Sequence, residues 1–179
     1  MSSSYRYEYH TDGQTVILFD RESGRAVSRE NDRVLSLLRW LREGGRRKEL
    51  RRWSVWCARR MSPSIKPVQR RLLRAAEAHL DGETGAERIA SLYEETEGMA
   101  VATDTVGLRQ GSAGAPAFLA TRECVNPDAW QGALRCSQYL SLWKAARSGA
   151  SPSFSTSLPR PDDQREVDFL LDLSSGFSI

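Results

Sequence analysis

Histidine is scarce in this chain. Only His10 and His79 occur among 179 residues, and histidine is the side chain most often used as a general base. His10 borders a turn signal. His79 lies beside Leu80 in a helical stretch, where a boundary histidine making an ordinary hydrogen bond is the expectation. Cysteine is nearly as rare: Cys57, Cys124 and Cys136 are odd in number and spaced for neither a disulfide framework nor zinc. No metal and no cofactor is therefore expected. No apolar run approaches the ~20 residues that span a bilayer, so no membrane partner is expected either. The opening "MSSSYRYEYH" lacks the apolar core and cleavage pattern of a secretion signal, which makes a reducing cytoplasm the expected location. The glycines of "GLRQGSAGAP" have no lysine-serine/threonine ending and no preceding strand, so they do not read as a phosphate loop.

What is present is ordinary for a globular chain. Hydrophobic residues make up 40% and charged residues 27%, and the length is that of one domain with a small appendage. A chain of this size buries roughly two-thirds of its unfolded surface and folds without a disulfide or metal. The net charge of +3 hides a segregation: 13 of the 26 basic residues lie between Arg39 and Arg74, against Glu43 and Glu49 alone. From Glu77 to Asp104 eight acids face the single Arg88. Such blocks mark either a nucleic-acid face or basic and acidic helices packed side by side. The second, or simply a solvated face, is the expected arrangement.

The expected fold is mainly α: a multi-helix bundle with a small N-terminal antiparallel β-hairpin or meander. Residues 1–28 read as a β-ribbon appendage, 29–147 as the bundle, 148–161 as a flexible linker with a "SFSTS" stretch, and 162–179 as a last helix and tail. No internal repeat stands out. "YRYEYH" alternates aromatic and polar residues, Asp12-Gly13 suits a two-residue type I′ turn, and "TVILF" follows. That turn places Tyr9 opposite Val16 and Tyr7 opposite Leu18. "DRESG" turns into a short third strand, Arg25-Ala26-Val27. Val34, Leu37, Leu38 and Leu41 fall at helical spacing, and Gly44-Gly45 ends that helix. A second helix runs from about Arg46 to Met61. A third carries Val68, Leu72, Ala76 and Leu80. Thr84 and Glu87 read as a capping box for a helix holding Ile89, Leu92 and Tyr93. After a glycine-rich connection, "GLRQGSAGAPAF", Asn126-Pro127 reads as the start of a helix reaching about Arg147. Its inner side is Ala129, Ala133, Cys136, Leu140 and Trp143. Val167, Leu170 and Leu171 are the inward side of the last helix.

The second helix contains "RRWSVWCARR" (Arg51–Arg60). At 100° per residue, Leu50, Trp53, Ser54, Cys57, Ala58 and Met61 share an arc of roughly 140°. Cys57 lies near its middle and is expected to be an unreactive core residue. Arg51, Arg52, Val55, Trp56 and Arg59 are assigned to the other side, with arginine stems lying on apolar surface or forming a contact surface. Glu94, Glu95 and Glu97 read as a solvated acidic face.

From Val34 onwards the chain resembles an uncharacterised family of small bacterial proteins abundant in planctomycetes. The resemblance rests on Lys48–Met61, similar to "KLRLFACACCRRI"; on "LLRAAEAHLDG" (Leu72–Gly82), similar to "AVEAAERFADG"; and on "QREVDFLLDLSSGF" (Gln164–Phe177), similar to "QADLLRDIFGNPF". Here the β-ribbon replaces the usual leader and the closing asparagine-proline is missing. The resemblance implies a helical fold and carries no catalytic residue.

The expected function is a non-catalytic protein–protein interaction or regulatory module. It is expected to be an accessory subunit of a multicomponent bacterial system, in conflict or signalling, that docks on a larger bacterial protein. Tyr5, Tyr7, Tyr9, Arg52, Trp56 and Arg59 are the expected partner contacts. The alternatives are nucleic-acid binding by the basic Arg39–Arg74 helices and a cysteine-dependent hydrolase built on Cys57 and His79.

Overall fold

The structure, a computed structural model, describes residues 7–12, 15–30, 33–61, 66–108, 110–148 and 164–174, with backbone alone for 7–12, 15–18, 27–30 and 174. These residues form a mainly helical protein with eight α-helices and one three-stranded antiparallel sheet. The chain divides into two compact units, residues Met1–Glu49 with Pro159–Ile179, and residues Leu50–Leu158.

The first unit holds β1 (Tyr7–Asp12), β2 (Thr15–Asp20), β3 (Arg25–Glu30), α1 (Arg33–Glu43), the start of α2 (Arg47–Met61), and the last helix, α8 (Gln164–Ser174). The strands pair in the order β1-β2-β3. The hairpin register differs from the expected one: Tyr9 pairs with Leu18, Tyr7 with Asp20, and Asp12 with Thr15. The sequence carries two competing turn signals, Asp12-Gly13 for type I′ and Gly13-Gln14 for type II′, and the observed register is two residues away from the one that Asp12-Gly13 sets. Because strand side chains repeat every two residues, a shift of two leaves the same positions sharing a face. β3 runs three residues beyond Val27, with a register irregularity opposite Leu18 and Phe19. The turn before it closes through the Gly24 amide on the Asp20 carbonyl at 2.8 Å, with Gly24 at φ +64°.

An isolated ribbon is marginal in water. Here α1 packs on β2 and β3 and also on α8. Leu37, Leu38 and Leu41 are fully buried and Val34 nearly so, joined by Val167, Leu170, Leu171 and Leu173. Each such side chain contributes about 1.5–3 kcal/mol on leaving water. α1 ends in a Schellman turn: the Arg46 amide reaches the Leu41 carbonyl at 2.8 Å and the Gly45 amide the Arg42 carbonyl at 3.0 Å, with Gly45 at φ +68°. A left-handed residue there is what glycine supplies at no steric cost.

The second unit holds the rest of α2, α3 (Pro67–Leu80), α4 (Ala86–Glu95), α5 (Glu97–Ala102), α6 (Gly114–Glu123) and α7 (Ala129–Ser148). A π-helical turn, Thr103–Gly107, continues α5. Proline at the first position of α3 costs no hydrogen bond, and Gln69 Oε1 accepts the Lys66 amide at 3.1 Å. Leu72, Leu73 and Ala76 bury its inner side, while Val68 and Leu80 are half-buried. The Thr84–Glu87 capping box does not form: Gly85 is the N-cap of α4, without a side-chain cap bond. Thr84 instead serves the end of α3, its amide on the Ala78 carbonyl at 3.2 Å and its carbonyl against His79 Nδ1 at 2.7 Å.

Helix α6 was not expected, since "GAPAF" reads as connection. Pro116 is its third residue, inside the first turn, where amides have no intrahelical partner and proline is tolerated. The start of α7 also moves. Asp128 is its cap, with Oδ1 accepting the amides of Trp130 and Gln131 at 2.9 and 3.2 Å. Asn126 makes the turn before it, accepting the Asp128 amide at 2.9 Å. α6 and α7 form a close hairpin, and a Cβ on Gly132 would stand 2.7 Å from the Glu123 carbonyl oxygen.

Candidate functional site

The expected contact residues fall into two groups. Tyr5 lies outside the described residues, and the side chains of Tyr7 and Tyr9 do as well. Arg52 and Trp56 are half-buried and Arg59 is exposed, all on α2. The Trp56 ring stacks on Trp53, with centroids 5.1 Å apart and planes at 19°. The Arg60 guanidinium lies 4.8 Å from the Trp56 centroid. Three residues along a helix is a rotation of only about 60°, so Trp56 adjoins the Trp53 edge of the core. Arg59 is ion-paired with Glu77 at 2.5 Å.

Cys57 is fully buried, as its place in the arc required. His79 is half-buried, and its Nδ1 is engaged by the Thr84 carbonyl, which accepts only from an N–H. The charge blocks meet across helices as well: Arg71 on α3 holds Glu95 on α4 with both terminal nitrogens, at 2.8 and 2.5 Å. The guanidinium keeps the Glu95 carboxyl below the ordinary carboxylate value, chiefly through these bonds.

One reading on α2 is overturned. Arg51 does not point away from the core; it is 6% exposed. Its Nη1 donates to the Cys124 carbonyl at 2.6 Å and its Nη2 to the Asn126 carbonyl at 2.9 Å. Cys124 is the C-cap of α6 and Asn126 lies in the turn to α7, so one guanidinium ties the helix end to the turn that follows it. Burial lowers its pKa, yet arginine stays protonated. The sequence held a signal: Arg51 lies about 20° beyond Ala58 on the wheel, at the rim of the buried arc.

Around this cap lies a buried polar network that sequence reasoning did not find. Glu123, at 2% exposure, sits 3.6 Å from Arg122 and 3.5 Å from Arg135. It accepts from the Tyr93 hydroxyl at 3.3 Å and from Asn126 Nδ2 at 2.7 Å. Arg122 lies over the Tyr93 ring, 3.5 Å from its centroid, donates to the Tyr93 carbonyl at 3.1 Å, and pairs with Glu97. Burial, then Glu123, raises the Tyr93 pKa. Nearby the thiols of Cys124 and Cys136 both donate to the Ala120 carbonyl, at 3.4 and 3.3 Å. Burial first, then Cys124, pushes the Cys136 thiol well up, so it stays protonated and a poor nucleophile. Trp53 Nε1 donates to Ser137 Oγ at 2.9 Å. The polar groups of this network spend their bonds on one another and on helix ends.

The outer surface of α5 and its π-helical turn is different in kind. Met99, Val101 and Val106 are 45%, 52% and 54% exposed, and they are the large exposed hydrophobic side chains among the described residues. Behind them Ala100 and Leu108 pack with Ala115 and Leu119, bordered by Phe118, Tyr139 and Leu142.

Among the described residues no group of three or more His, Cys, Asp or Glu side chains could hold a metal ion. None of the described helices is long and apolar enough to cross a membrane. Comparison with protein-family models, curated proteins and solved structures finds no match to this chain.

Proposed function

We propose that this chain is a non-catalytic protein–protein interaction module, a regulatory or accessory subunit that docks on a larger bacterial protein, as its resemblance to small helical bacterial proteins suggests. One observation carries the reading. Met99, Val101 and Val106, the large exposed hydrophobic side chains among the described residues, all lie on the short segment of α5 and its π-helical turn, and such exposed apolar surface favours contact with another protein. The half-buried Trp56 with Arg52 and Arg59 is a second, weaker contact candidate, since tryptophan and arginine dominate interface energetics. The ribbon tyrosines Tyr5, Tyr7 and Tyr9 remain part of the proposal.

The test is affinity capture from the source cell with the full chain and three variants: Val106→Asp, Trp56→Ala and Tyr7→Ala. A partner captured by the parent and by Trp56→Ala, but lost with Val106→Asp, supports the α5 surface. A partner retained by all three variants excludes these surfaces. The nucleic-acid alternative rests on the basic Arg39–Arg74 helices, where Arg39, Arg42, Arg47, Lys48, Arg70 and Arg74 are exposed. It requires affinity for duplex DNA or RNA that falls steeply with salt. The pairing of Arg59 with Glu77 and of Arg71 with Glu95 leaves fewer cations for phosphate.

A further inference from the structure

We infer that the outward face of α5 and its π-helical turn takes a basic amphipathic helix of a partner protein. The inference rests on the interaction-module reading and adds the chemistry of the partner.

Val101, Ala102, Thr105 and Val106 are all exposed, with Met99 beside them. The face is more apolar than its composition suggests, because its hydroxyls are already used. Thr103 Oγ1 donates to the Met99 carbonyl at 2.7 Å, and Thr105 Oγ1 to the Val101 carbonyl at 2.8 Å. A partner therefore meets threonine carbon more than threonine hydroxyl, and little polar surface has to be desolvated on contact. The segment is also held from behind. Ala100 and Leu108 are buried against α6, and a Cβ on Gly107 would come within 2.9 Å of the Ala115 Cβ. A face fixed before binding loses little order on binding. Gly98 is exposed with open space around it. Together with Ala102, four residues on, it puts two small residues in one i, i+4 row, low relief against which a ridge of another helix can pack.

Charge selects the partner. From Glu94 to Leu108 the chain carries Glu94, Glu95, Glu97 and Asp104 and no lysine or arginine. Glu95 is held by Arg71 and Glu97 by Arg122. Glu94, in the last turn of α4, and Asp104, in the π-helical turn, are exposed, and Glu97 at the start of α5 remains mostly exposed despite its partner. An apolar strip bordered by carboxylates is complementary to a helix with apolar residues at its centre and Lys or Arg at its edges.

The test is selection of binders from a displayed library of helical peptides with randomised edge positions, using the full chain as bait. Val106→Asp and Asp104→Lys are measured alongside, with circular dichroism confirming that both fold. The expected result is enrichment of Lys and Arg at the peptide edges, with binding lost in Val106→Asp. Binding should weaken at least about threefold in Asp104→Lys at low salt, and that loss should shrink at high salt. Neutral or acidic edges, with binding still lost in Val106→Asp, overturn the basic partner and leave the interaction-module reading standing. Binders indifferent to Val106→Asp, or no binders at all, overturn the face itself. Self-association of the parent that Val106→Asp abolishes would overturn the inference by assigning the face to a second copy of this chain.

Discussion

The interior corner between α6 and α7 and the outer surface of α5 handle polarity in opposite ways. At the corner, Arg51, Glu123, Arg122 and Asn126 are buried and bonded to each other or to helix-end carbonyls. On α5, apolar side chains face outward while the threonine hydroxyls turn back to the helix. Removing a partner from a buried charge leaves its desolvation uncompensated. An exposed apolar group costs the fold little and is available to another protein. The corner is thus sensitive to the loss of any one partner, while α5 offers the surface for the contact proposed above.

The comparison is most easily broken at Arg51. Arg51→Met removes two charge-assisted hydrogen bonds and strands the Cys124 and Asn126 carbonyls, and about 3–5 kcal/mol of stability should be lost. Urea denaturation measures it, and a loss below about 1 kcal/mol would show that water or another donor replaces the guanidinium. Next is Gly132→Ala. The added methyl meets the Glu123 carbonyl at 2.7 Å, so α6 and α7 must separate, at about 1–3 kcal/mol. A thermal midpoint unchanged from the parent would disprove that close approach.

A smaller effect is expected from pH. Tyr93 and Tyr139 both resist ionisation in the folded chain, through burial first and the Glu123 carboxylate second. Folded values above the unfolded value of about 10 mean that the stabilisation is intact below that pH. It is lost as pH rises toward the folded values. Denaturant midpoints should hold up to about pH 10 and fall above it, and Tyr139→Phe should flatten that fall. The smallest effect belongs to the other side of the comparison. Val106→Asp should shift unfolding stability by no more than about 0.5 kcal/mol while abolishing partner capture. A large destabilisation would reassign Val106 to the core.

How much of this was legible beforehand follows the range of each interaction. The stripes of α1 and α8, the burial of Cys57, the hydrogen-bonding role of His79 and the glycine ends of α1 and α3 all follow from spacings of a few residues. The hairpin register was not legible from its turn residues, because the single Gly13 suits both an Asp12-Gly13 and a Gly13-Gln14 connection. α6 escaped because proline and glycine mark loops in general but are harmless in a first helical turn. Asn126 looked like the cap of α7 because its side chain suits the role, and Asp128 suits it equally.

The sequence by itself determined the helices with strong apolar periodicity, the antiparallel ribbon and the burial of Cys57, since each depends on neighbours within one or two turns. Only the tertiary structure decided that Arg51 would be buried, because its two acceptors lie 73 and 75 residues away. The same holds for Glu123, whose ring of partners comes from α4, α6, α7 and the turn between them. Local periodicity encodes which side of an element turns inward. Which polar groups meet there depends on how the elements pack, and that information is spread over the whole chain.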